Sequence, residues 1–82
     1  MNWQENDLTL KGMVRELLRS RLHMDPLDAN EAASEIMPTL VSNLNGGADD
    51  FELMAVMSRI CGAWAEGEYL ADLLTDQARA LG

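Results

Sequence analysis

The sequence predicts an all-α fold, a small compact bundle of four helices, on three observations. Apolar residues recur at the three- and four-residue spacing of a helical face through most of the chain. No stretch alternates β-branched and polar residues as a half-buried strand does. Two segments rich in turn and cap residues, "MDPLDAN" and "NGGADD", separate the periodic runs.

Leu10, Met13, Val14, Leu17, Leu18 and Leu22 share one face and predict a first helix over 8–22, with Asn6 or Asp7 as its cap. "MDPLDAN" then interrupts: Pro26 has no N–H with which to continue a ladder, and Asp25, Asp28 and Asn30 suit turns and caps. Ala33, Ile36, Met37, Leu40, Val41 and Leu44 predict a second helix over 31–44, ended by the glycines of "NGG". Pro38 falls inside this pattern, and because the periodicity continues across it, a kink is expected there instead of a break.

Asp49 or Asp50 caps a third helix, expected over 50–66, with Leu53, Met54, Met57, Ile60, Cys61 and Trp64 facing inward. Gly62 and Gly67 each weaken the helix by up to about 1 kcal/mol relative to alanine. A break is therefore expected near Gly67. Leu70, Leu73, Leu74, Ala78 and Leu81 then predict a fourth helix over 68–80, the alternative being one long bent helix for the last two.

Eighty-two residues make a single helical domain, 1–82, which hides only about 60% of the surface its unfolded chain exposes. One cysteine excludes an internal disulfide, and with one histidine a Cys/His zinc site cannot be assembled within one chain. "MNWQENDLTL" lacks the charged start and apolar core of a secretory signal, and no apolar run approaches the roughly 20 residues of a bilayer span. A soluble cytoplasmic protein with Cys61 reduced and no membrane partner is the expectation.

Catalytic chemistry finds little support. A nucleophile needs a positioned base. His23 ends the first helix beside a turn, where the helix dipole explains a histidine, and Cys61 lies among apolar neighbours as a small hydrophobe. Asp49, Asp50 and Glu52 lack the oxygen-donor spacing of a calcium loop and read as helix-start residues. No phosphate-binding glycine run follows a strand. The expectation is no enzyme, no metal and no cofactor.

Charge patterning says more. Lys11, Arg15 and Arg19 form an i, i+4, i+8 row on the first helix of a chain whose formal charge is -8. Direct nucleic-acid binding is disfavoured, because residues 24–82 hold eleven acids against Arg59 and Arg79, and the second helix has no Lys or Arg. Glu68, Asp72 and Asp76 repeat the same spacing on the last helix with the opposite sign, so the two rows are expected to face each other within the bundle or between two copies in an isologous dimer. Arg21 falls inside the apolar face. Either the helix frays there and the side chain reaches water, or the guanidinium is an interface arginine that reaches an acid such as Glu31 or Glu35, or a partner's carboxylate.

Met13, Met24, Met37, Met54 and Met57 suit a core or a surface that repacks around a partner. Trp64 is expected in the core, and Trp3 as a lid over the bundle end or an interface anchor. The functional expectation is a non-enzymatic protein-binding module, an inhibitor or accessory factor that occupies a partner protein's surface and self-associates. Trp3, Lys11, Arg15, Arg19, Arg21, Glu68, Asp72 and Asp76 are its candidate contacts. The alternative is an acidic nucleic-acid mimic presenting Asp28, Glu31 and Glu35 to a DNA- or RNA-binding protein.

Overall fold

Asp7 starts the first helix. Its Oδ1 accepts the Leu10 N–H at 2.9 Å, and α1 runs Leu8–Leu22 in the computed structural model, which describes residues 2–82. His23 closes α1 in the left-handed region at φ 56. The helix does not fray at Arg21, which remains helical in the last turn.

α2 spans Pro26–Leu44 and begins five residues before the expected start. Asp25 caps it, its Oδ1 accepting the Asp28 N–H at 2.8 Å. Pro26 occupies the first turn, where its missing N–H has no partner to lose and its φ is already helical. A proline read as a barrier is therefore the helix's first residue. Pro38 lies on the exposed side, and α2 is continuous through it although the proline has no N–H to give the preceding turn.

The turn after α2 is tied to both its neighbours. Gly46 takes a positive φ of 85, and Asn43, buried, donates through Nδ2 to Ala48 O at 3.3 Å and to Asp50 Oδ1 at 2.9 Å. One side chain thus holds the end of α2 against the start of α3, which spans Asp50–Cys61 under an Asp49 cap accepting the Glu52 N–H at 2.9 Å. Trp3 is a lid at this end. Its N–H donates to Asn45 Oδ1 at 2.9 Å, its carbonyl accepts from Asn45 Nδ2 at 3.0 Å, and its half-buried side chain packs on the core.

The break between the last two helices differs from expectation. α3 ends at Cys61, not at 66; Gly62 caps it at φ 79, Ala63 is extended, and α4 runs Trp64–Leu81. Gly67, where the break was expected, is buried inside α4. A Cβ on Gly67 would lie 2.4 Å from both the backbone N and the Cα of Ser58, so α3 and α4 touch main chain to main chain. The glycine is there for closeness, not for flexibility.

Leu10 and Leu18 of α1, Ile36 and Leu40 of α2, Leu53 and Met57 of α3, and Leu70 and Leu74 of α4 are fully buried. Each such side chain stabilises the fold by about 1.5–3 kcal/mol. Met37 and Met57 are core, whereas Met13, Met24 and Met54 are half-buried against it. Packing is closest between α3 and α4, then between α1 and α2, while α1 and α4 touch only sparsely. No described helix is long and apolar enough to cross a membrane.

Candidate functional site

One unpartnered face lies on α4 and starts from a residue expected to be core. Trp64 is 45% exposed and stacks on Phe51 of α3, itself 64% exposed, with ring centroids 5.3 Å apart at 43°. Trp64 keeps the i, i+3, i+7 phase of the buried Gly67 and Ala71, but it stands in the first turn of α4 and stacks on Phe51 instead of entering the core. One, two and three turns later stand Glu68, Asp72 and Asp76, all exposed. Aromatic and acids form a single i, i+4 row, with the acids turned roughly 140° from the centre of the buried arc at 100° per residue.

The basic row is also outward. Leu10, Val14, Leu17 and Leu18 fill the inner side of α1, leaving Lys11 half-buried and Arg15 and Arg19 exposed. A groove of about 340 Å³ marks the flank of α1 that faces α4: it is lined by Met13, Glu16, Leu17, Ser20 and Arg21 with Gln77 from α4. Lys11, Arg15 and Arg19 lie roughly 130° round the helix from the Met13–Glu16–Ser20 flank, and the acids of α4 lie a similar angle from Gln77. The rows therefore point to opposite outer edges.

Consequently the expected pairing within the bundle is not made. Among the described residues the ion pairs are Arg19 with Glu16, at 3.0 Å within α1, and Arg59 with Glu35, joining α3 to α2. The flank of α1 beside α4 carries Glu16, which would repel an acidic row instead of receiving it. Arg21 reaches neither Glu31 nor Glu35; it is exposed at the groove's edge, while Arg59 takes Glu35.

His23 is exposed at the end of α1 and Cys61 half-buried at the end of α3. Burial, and then the nearby Glu66 carboxylate, push the Cys61 thiol up from its ordinary value, which suppresses the thiolate. Asp49 caps α3 and Asp50 accepts from Asn43, so both carboxylates have structural work. Among the described residues no three or more His, Cys, Asp or Glu side chains converge as a metal site would require.

Sequence reasoning missed Phe51 and the exposed role of Trp64. A signal was available: Trp64 stands one helical turn before Glu68, in the same row as the acids. The chain matches no protein-family model, no curated protein and no solved structure.

Proposed function

We propose that this chain is a non-enzymatic, cytoplasmic protein-binding module, an inhibitor or accessory factor that acts by occupying a partner protein's surface. It self-associates as well, with a homodimer as the first step. One observation carries this reading: the two charged rows are presented outward without partners on other helices, and the acidic one continues from an exposed, stacked aromatic pair. Surface aromatics beside charge are the composition of interface anchors, where Trp and Tyr dominate binding energy.

Arg21 and Trp3 have smaller parts. Arg21 sits beside an open groove as a free cation for a partner's carboxylate, whereas Trp3, half-buried and tied to Asn45, supports the bundle end. The nucleic-acid mimic has less support, because Glu35 is taken by Arg59, leaving Asp28 and Glu31 as the free acids of its set.

The test is affinity capture from the native host with three baits: the natural chain, Lys11→Glu/Arg15→Glu/Arg19→Glu, and Trp64→Ala/Phe51→Ala. A protein held by the natural chain and lost by a variant of unchanged helicity supports the reading. Identical recovery by all three baits removes these surfaces from it.

A further inference from the structure

We infer that the chain assembles head to tail, the α1 basic row of one copy lying along the Trp64–Glu68–Asp72–Asp76 row of the next. This rests on the self-association proposed above and specifies its form.

Charge complementarity selects the occupant. The face on α4 is aromatic at one end and acidic along the rest, and its complement is a helix with an apolar residue followed by three cations one turn apart. α1 is such a helix. Leu8, 82% exposed, stands about one turn before Lys11, as Trp64 stands one turn before Glu68. A parallel register sets Leu8 against Trp64, Lys11 against Glu68, Arg15 against Asp72 and Arg19 against Asp76. An antiparallel register would put His23 against Trp64 and leave Leu8 beyond the acids.

The geometry of helix packing accommodates this match. Rows of i, i+4 side chains are inclined about −26° to their axis, so two such rows run alongside each other when the helices cross at about −50°. Within the chain α1 is the one helix with a positive formal charge, +3 from Lys11, Arg15, Arg19 and Arg21 against Glu16. α4 is its opposite, -3 from Glu66, Glu68, Asp72 and Asp76 against Arg79. Repulsion between two acidic molecules opposes the contact, but a Debye length of about 8 Å at physiological salt screens the distant acids and leaves the touching rows.

Direction follows from the divergence of the rows. Because they occupy opposite edges, the copy that gives its α1 row to one neighbour still has its α4 row free for another. Such heterologous contacts propagate unless the rotation happens to close a ring.

Sedimentation of the full chain from about ten micromolar to the millimolar range tests this. The expected result is an average mass that rises past that of a dimer. Lys11→Glu/Arg15→Glu/Arg19→Glu and Glu68→Lys/Asp72→Lys/Asp76→Lys should each be monomeric, with helicity retained, and an equimolar mixture of the two should associate again. Trp64→Ala and Leu8→Asp should each weaken association by about tenfold, the loss expected when an interface aromatic and the apolar residue set against it are removed. A plateau at the dimer overturns the head-to-tail arrangement and leaves self-association standing; a monomer throughout overturns both. Tryptophan fluorescence that shifts when a monomeric chain is titrated with an unrelated cationic helical peptide reassigns the α4 face to a foreign basic partner.

Discussion

α4 meets α3 and α1 by opposite means. Against α3 it has no side chain at the point of contact: Gly67 lets the main chain reach Ser58, and Ser58 Oγ lies 2.6 Å from Met54 O and 3.4 Å from Trp64 O. Against α1 it has abundant chemistry within a few residues and little contact, only an open groove edged by Arg21 and Gln77. A contact in a small bundle is decided by which side of each helix the apolar residues have already claimed. Matching charges do not decide it, because an exposed pair contributes only about 0–1 kcal/mol, whereas one buried leucine contributes more.

The α3–α4 seam is most readily disrupted at Gly67. Alanine there must push a methyl group into the Ser58 backbone, which cannot yield as a flexible side chain would. Gly67→Ala should lower stability by about 1–3 kcal/mol or more, the range for overpacking, read as a fall in the urea midpoint. A change below about 0.5 kcal/mol, the usual scale of exposed substitutions, would show that the α3–α4 seam has room to spare.

Gly62 provides the contrast. A Cβ there meets nothing within 4 Å, yet its φ of 79 is left-handed. Gly62→Ala should lose about 1–2 kcal/mol from backbone conformation alone. Gly62→Asn should recover part of this, since asparagine tolerates that region. If alanine is neutral, the hairpin is not held by its turn.

Much of this fold was legible in the chain because helix periodicity and cap chemistry are local. Asp7 and Asp49 stand at caps that the sequence indicates, and α1 has its expected bounds. What was not legible depends on neighbours. Pro26 can stop one helix or begin the next, and Asp25 accepting the Asp28 N–H settles which. Gly67 can loosen a helix or admit another, and only the position of Ser58 distinguishes these. The rows Lys11–Arg15–Arg19 and Glu68–Asp72–Asp76 were visible from spacing. Their divergence was not, since it depends on which flank of α1 meets Gln77.

Smaller effects are expected where the charges are. Reversing Lys11, Arg15 and Arg19 to glutamate in dilute monomer should change stability by only a few tenths of a kcal/mol per site, mainly through loss of the Glu16–Arg19 pair and new like-charge neighbours. A loss of several kcal/mol in thermal or urea unfolding would mean that the basic row is held by the fold in solution. The Arg59–Glu35 pair across α2 and α3 is the internal standard: a double-mutant cycle should give about 0–1 kcal/mol for this exposed bridge.

The smallest effect belongs to Cys61 at the end of α3, and it reports whether the seam is closed. Burial and then Glu66 raise its thiol value, so the folded chain favours the protonated form. Its contribution to stability is complete below the ordinary thiol value and is lost as pH rises through that value to the raised folded one. Around pH 8 the folded chain should react more slowly with a thiol reagent than the same chain in denaturing urea. Glu66→Gln should speed the reaction slightly, because Glu66 is the lesser cause, and Gly67→Ala should speed it more by separating α3 from α4 and hydrating the thiol. Equal rates for folded and unfolded chains would show that the end of α3 is already open to water.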